Sequence, residues 1–257
     1  MMRTAYGEIF ATRSDRYERA MTRMPGARAA EFASFCRHLD LAGSEVLADV
    51  PAGGAYLRRY LPTGVAYLAI DESEHFHAAC AARLLPADLA INATCLDMPL
   101  ATASVDIVGS LTGLHHVHPR QPAYAEWYRV LRPGGRVVIA DVAVGTAEGE
   151  FLNGFVDRYN SQGHDGRFLD DDDLAALHAA GFADVMVTDE RYAWQFAAPG
   201  EAVEFCLDLF GLDQPGAAAA LATTLERDLG LHAAAGDGGW LLPWGLRFIT
   251  ARRPAAS

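Results

Sequence analysis

Short apolar runs alternate with longer segments of helical period from residue 46 onward. The runs at 46–50, 65–70, 89–93, 105–110 and 136–140 hold apolar residues at successive positions, as strands buried on both faces do. Residues 55–61, 73–85 and 122–131 carry helical spacing, closed by Pro62, by Pro86 and by Arg132-Pro133-Gly134-Gly135. Strands and helices alternating at these lengths predict right-handed βαβ units and a parallel sheet. Ahead of them, residues 1–40 read as helices around a Pro25-Gly26 break, with Tyr6, Ile9, Phe10, Tyr17, Met21 and Met24 at roughly helical spacing. Past residue 141 the rhythm changes. Residues 145–168 read as an irregular glycine-rich stretch, 170–180 as a helix ended by Gly181, and 183–187 and 246–251 as two last strands. The long apolar segment 191–240 between those strands reads as an inserted helical lid. The expected fold is α/β, a doubly wound, mostly parallel seven-stranded sheet in one domain. Its expected parts are a cap at 1–40, a core at 41–190, a lid at 191–240 and a last strand and tail at 241–257.

Composition narrows the partners. The 257 residues carry a net charge of -12 with no stretch of interleaved arginines and aromatics, which argues against nucleic acid and against an anionic membrane surface. All 21 basic residues are arginines, so a P-loop lysine, a pyridoxal Schiff base and a side-chain amine nucleophile are excluded. Cys36, Cys80, Cys95 and Cys206 form no CxxC pair and read as free thiols of a reducing, cytoplasmic compartment. The N-terminal stretch lacks the apolar core of a signal peptide, and no run is long enough to span a membrane.

The chemistry concentrates at strand ends. VLADVPAGGA (46–55) is a strand running through Asp49 into Pro51-Ala52-Gly53-Gly54, where small residues let backbone approach a ligand. Taken with YLAIDESEHF, with ATCLDMPLATASVDIVGSLTGLHHV and with WYRVLRPGGRVVIADV, it resembles a class I S-adenosylmethionine-dependent methyltransferase of the small-molecule branch over about residues 44–190. The resemblance implies the Rossmann-like fold of that family, S-adenosylmethionine as cofactor and S-adenosylhomocysteine as product. It also implies that Asp49, Ala52, Gly53 and Gly54 cradle the methionine part. Asp71 would accept from the ribose hydroxyls, with Glu72 and Ser73 along the ribose edge. Asp97 would meet the adenine amino group and the next N–H a ring nitrogen, with Leu96 and Met98 around the ring. Ser110 and Leu111 would lie beneath the sulfonium, and Tyr17, with Tyr6 and Arg28, could close over the cofactor or simply pack as a cap. The usual D-x-G-x-G-x-G is altered, since Pro51 and Ala55 stand where glycines are usual.

His115 and His116 follow the fourth strand, and Asp141 ends the fifth. The same resemblance makes them acid/base candidates for a small acceptor, with oxygen favoured over nitrogen or carbon. His164, on the 153–168 segment, is a further candidate base. No metal is expected, because HHxH (His115, His116, His118) runs into Pro119 without nearby Cys or acid ligands. Asp170 to Asp173 read as the acidic opening of a helix. The resemblance implies a structural role for Asp106. The aromatics of the lid suggest an apolar or aromatic acceptor, and the chain is expected to be a monomer or homodimer. Two rivals stand beside this. One is a non-catalytic relative that binds a metabolite or partner, favoured by Pro51 and Ala55. The other is a nicotinamide dehydrogenase, disfavoured by the missing GxGxxG.

Overall fold

Leu47 and Ala48, Tyr67 and Leu68, Ile107 and Val108, and Val137 and Val138 are sequence neighbours buried in opposite layers. Alternating side chains on an apolar strand leave no face for water, so the sheet is covered on both sides. The computed structural model describes residues 5–236 and 238–255. Its strands are β1 (Val46–Asp49), β2 (Ala66–Asp71), β3 (Leu89–Asn92), β4 (Val105–Leu111), β5 (Leu131–Asp141), β6 (Ala183–Phe196), β7 (His232–Ala233) and β8 (Trp240–Arg252). The order across the sheet is β3-β2-β1-β4-β5-β8-β6, with the two-residue β7 pairing β8 off that path. The first five are parallel, and β8 runs antiparallel to β5 and β6.

The helices are α1 (Ala5–Arg23), α2 (Ala29–Leu39), α3 (Glu74–Cys80), α4 (Gln121–Val130), α5 (Ala147–Glu150), α6 (Asp157–Tyr159), α7 (Asp171–Ala179), α8 (Pro199–Leu209) and α9 (Ala217–Arg227). One layer sets α2 and α8 against the sheet through Phe35, Leu39 and Phe205; the other sets α4 and α7 against it through Tyr124, Trp127 and Leu177. Asp170 caps α7 in a reciprocal capping box with Asp173, as its acidic opening implied. Asp173 also pairs with Arg120 and accepts the Tyr124 hydroxyl at 2.7 Å. Asp106 serves structure, taking the Val46 N–H at 2.8 Å and Arg132 at 2.6 Å.

Four expectations are corrected. The segment after 191 is not all helical lid: β6 continues to Phe196 and β8 begins at Trp240, because each pairs the other over that length. The helical part is confined to α8 and α9. Residues 147–159 are helical rather than irregular, joined through a π-helical turn at Phe151–Val156. Residues 56–60 form a 3-10 turn rather than an α-helix, entered through Ala55 at φ 62°. α3 stops at Cys80 rather than running to Leu85.

The topology fixes one working edge. Asp49, Asp71, Leu111 and Asp141 end β1, β2, β4 and β5 at their C-terminal side. Strand order reverses between β1 and β4, where open α/β sheets leave a ligand crevice. α1 lies over that crevice. Tyr6, Phe10, Arg13 and Tyr17 recur along one of its faces at helical spacing and turn inward.

Candidate active site

Two cavities lie beneath α1 and share a wall of Phe10, Tyr17, Arg28 and Thr112. The first opens on the β1 turn, with Asp49, Pro51, Ala52, Gly53 and Leu111 in its lining. Gly53 takes φ 52°, which suits a residue without Cβ, and its N–H donates to Asp71 Oδ2 at 2.8 Å. Pro51 reaches Gly113 so closely that a Cβ there would stand 2.3 Å from the proline ring. Asp71 also accepts the Ser73 N–H at 2.9 Å and the Tyr6 hydroxyl at 2.8 Å. Burial pushes its carboxyl up to about 6 against these three donors. Burial likewise lifts Asp49 to about 7, although it accepts the Tyr67 hydroxyl at 2.5 Å.

The remaining expected cofactor residues spread out. Gly54 faces α1 and Arg83, which donates to its carbonyl at 2.9 Å. Ser73 caps α3, and Glu72 packs against Gly7 of α1. Ser110 is fully buried within β4, with its Oγ unpartnered among the described residues. Asp97 is exposed and Leu96 partly buried, and neither lines the two cavities. The Met98 N–H was expected toward a ring nitrogen. That N–H donates to Glu126 Oε1 at 2.7 Å, and the Met98 side chain sits in the core.

The second cavity brings together histidines that are distant in sequence. His115, His116 and His164 present one nitrogen each within 4.8 Å of one another. His115 Nδ1 meets Asp141 Oδ1 at 2.7 Å, and its backbone N–H donates to Asp141 Oδ2 at 3.0 Å. Burial would raise the Asp141 carboxyl. His115, the Val142 N–H and Arg120 overcome that and hold it below the usual carboxylate range. An ionised Asp141 accepts from Nδ1–H, which leaves Nε2 of His115 as the free nitrogen. His164 Nδ1 lies 2.8 Å from Asn153 Oδ1, which also accepts the Gly166 N–H at 2.8 Å. Asp157 accepts the His164 N–H at 2.8 Å, and Arg167 N–H donates to the His115 carbonyl at 2.9 Å. These bonds from the π-helical turn and the loop dock His164 against the pair. Burial, reinforced by the neighbouring histidines and Arg13, holds His116 well below the ordinary imidazole range and His164 at about 3.

His118, the third histidine of HHxH, is exposed and outside the cluster. Three imidazole nitrogens this close can gather about a polar atom of an acceptor, and they could equally hold a metal ion, which the expectation from HHxH did not foresee because His164 rather than His118 supplies the third nitrogen.

Sequence reasoning singled out neither Arg13 nor Asn153 as a site residue, and it left Tyr6 and Arg28 open between closing over the cofactor and packing as a cap. Arg28 joins both cavities: it donates to Tyr17 Oη and Thr112 Oγ1, each at 3.0 Å, and pairs with buried Glu31. Trp194 Nε1 donates to the other Glu31 oxygen at 2.8 Å. The missed signal was the stripe on α1, polar residues among aromatics at helical spacing.

Residues 48–139 match a family model described as a methyltransferase domain. A ubiquinone/menaquinone biosynthesis C-methyltransferase of Syntrophotalea carbinolica is 32% identical over 113 residues, 41% of this chain and 47% of that protein. An O-methyltransferase of Aspergillus nomiae is 35% identical over 102 residues, 38% of this chain and 44% of that protein. The chain spans about half the length of these curated relatives. Among solved structures, the Haemonchus contortus phosphoethanolamine N-methyltransferase 2 in complex with S-adenosylmethionine superposes with TM-score 0.62 at 15% identity, covering 97% of this chain and 60% of that one. The [4+2]-cyclase SpnF does so with TM-score 0.60 at 18% identity, covering 98% and 97%. These two likenesses establish the fold; the cyclase shows that this fold alone does not fix a reaction. Residues 48–139 thus carry the match to a methyltransferase domain, and the chain has the fold of the methyltransferase solved with S-adenosylmethionine.

The first cavity fits that cofactor in chemistry. Asp71 already accepts a hydroxyl, from Tyr6, where a ribose hydroxyl would donate. A Cβ on Gly53 would meet nothing nearer than the Tyr17 and Tyr6 hydroxyls at 3.9 and 4.0 Å. Its volume is about 40 Å³, far below the roughly 300 Å³ of small ligand pockets. α1 closes over this cavity, with the Tyr6 hydroxyl on Asp71 Oδ2.

Proposed function

We propose that this chain is a class I S-adenosylmethionine-dependent methyltransferase and that it transfers a methyl group from S-adenosylmethionine to an oxygen of a small acceptor. The observation that carries this reading is the common wall. The cavity at the β1 turn and the cavity of the histidine cluster meet at Phe10, Tyr17, Arg28 and Thr112. A donor held on one side and an acceptor on the other are thereby brought within reach of each other, which supplies much of such a rate.

When bound, S-adenosylmethionine supplies an electrophilic methyl group on a sulfonium. Asp71 would hold the ribose hydroxyls, the backbone at Ala52 and Gly53 would border the methionine part, and Arg28 with Tyr17 would line the passage to the acceptor. The aromatic face of α1 excludes water from both cavities. His115 is the proposed base. Its Nδ1–H is fixed on Asp141, so Nε2 can take the proton of an acceptor hydroxyl. His116 and His164, held neutral by burial, are poor proton acceptors and would hydrogen-bond the acceptor instead.

The reading is tested by calorimetric titration with S-adenosylhomocysteine, with NAD as control. Binding of the first alone is expected. No binding of S-adenosylhomocysteine, or binding of NAD in its place, overturns the proposal.

A further inference from the structure

Arg13 is the one guanidinium of the acceptor cavity left without a counter-charge. Its residue is 8% exposed, and Nε and Nη1 have no hydrogen-bond partner among the described residues. Nη2 reaches only the Leu209 carbonyl, at a long 3.5 Å. The Phe10 ring lies 5.6 Å from the guanidinium carbon, a weak contact beside an ion pair. The other charges acting on Arg13 are Arg16, which repels it, and Asp213, which opposes that only in part and is itself bonded to Ser161. The cavity lining contains no aspartate or glutamate. The second arginine there, Arg28, is satisfied by Glu31. Asp141 is committed to His115.

A buried cation without an anion is costly, and proteins rarely keep one without a use. The chain as a whole is acidic, at a net -12, yet none of its carboxylates pairs with Arg13 among the described residues. Trp194, Phe210 and Trp244 line the same cavity, stacked on one another with Trp194 and Trp244 centroids 4.5 Å apart at 23° and Phe210 5.9 Å from Trp244. They give it an aromatic wall, and its volume of about 70 Å³ means that a ring enters only as α1 moves.

We propose that Arg13 is an anion subsite, and that the acceptor is a planar carboxylate whose carboxyl group seats on Arg13 while its nucleophilic oxygen faces His115, His116 and His164. This deepens the functional reading above and rests on it for the role of the histidines. It also revises the expectation of a merely apolar or aromatic acceptor, which the aromatic residues alone suggested. Nε–H forks with Nη2 rather than with Nη1, so a two-oxygen anion would seat on Nε and on an Nη2 released from its long contact with the Leu209 carbonyl.

The test uses the full chain, with benzoate and its neutral analogue benzamide as probes. Thermal unfolding and calorimetric titration are run for wild type, Arg13→Met and Arg13→Lys. In wild type, benzoate is expected to raise Tm and to bind at least tenfold more tightly than benzamide. Arg13→Met should erase that preference, and Arg13→Lys should retain part of it. Without any probe, Arg13→Met should unfold at a higher temperature than wild type, because the unpaired charge is gone. Equal binding of benzoate and benzamide by wild type, no benzoate binding, or a preference that survives in Arg13→Met would each overturn the proposal. Titration with S-adenosylhomocysteine in parallel separates the two readings. If it binds while benzoate preference is missing, the anion subsite alone fails. If it does not bind while the preference holds, the cofactor reading alone fails.

Discussion

At the scale of single residues, the pairing of His115 with Asp141 differs in kind from the other two histidines. An imidazole whose Nδ1–H is fixed on an ionised carboxylate can carry a proton; one desolvated beside other cations resists it. His115→Gln and Asp141→Asn should therefore each lower turnover by about 10²–10⁴-fold, with S-adenosylhomocysteine affinity kept within a few-fold. Rates near wild type for both would mean that positioning alone carries the step. His164 makes a second, thermodynamic prediction. Its folded-state value of about 3 lies below the ordinary imidazole value of 6.5. Between those pH values the unfolded chain binds a proton that the folded chain refuses, so stability falls as pH drops through this window. At pH 5 that loss is about 2 kcal/mol. His164→Asn also loses contacts at every pH, so the diagnostic readout is the slope. Denaturant unfolding from pH 7.5 to pH 4.5 should show a shallower acid loss in the variant, and parallel curves would contradict it.

Among the elements, α1 carries most of the consequence. It sets Tyr6 on Asp71, Phe10 and Tyr17 in the common wall, and Arg13 in the acceptor cavity. On the proposed function, the Tyr6 hydroxyl leaves Asp71 as a nucleoside enters. Tyr6→Phe should therefore tighten S-adenosylhomocysteine binding by up to about tenfold, within the worth of a hydrogen bond to a charged group. Weaker binding in the calorimeter would instead make Tyr6 a direct contact of the cofactor. The parallel strands and their terminal acids were legible in the sequence because buried apolar runs and small-residue turns are local signals. That Asp71, His115 and Asp141 stand on one edge followed from the strand ends; their roles came from the family resemblance, and the His115–Asp141 bond appears only in the structure. The docking of His164 did not, since it depends on Asn153 in a π-helical turn and on Arg167 bonding the His115 carbonyl, contacts that no local pattern encodes. The length of β6 and β8 was hidden for a similar reason: Trp194, Phe196, Trp240 and Trp244 read equally well as lid or strand until their mutual pairing decides. Arg13 was passed over because an arginine on a helix is ordinarily a solvated face.

For the whole molecule, charge regulation links the first cavity to pH. The chain carries net -12, and the crevice at the switch point adds two buried acids that resist ionising, Asp71 at about 6 and Asp49 at about 7. In the unfolded chain both lose their protons near the ordinary 3.8. From there to about 7 the folded chain holds more protons, so these groups favour the fold at acid pH and withdraw that support as pH rises through the window. Ribose hydroxyls and a cationic sulfonium or ammonium favour the ionised acids, and binding therefore works against protonation. S-adenosylmethionine affinity should rise from pH 5.5 to pH 7.5, approaching about tenfold per pH unit for each proton released. Asp71→Asn should weaken binding and flatten the pH dependence, leaving the part that belongs to Asp49. Calorimetry across that range in buffers of different ionisation enthalpy measures both the affinity and the protons released. A pH-independent affinity with no proton release would show that neither acid contacts the bound cofactor, and would move its polar anchors from the ends of β1 and β2 to Arg28 and α1.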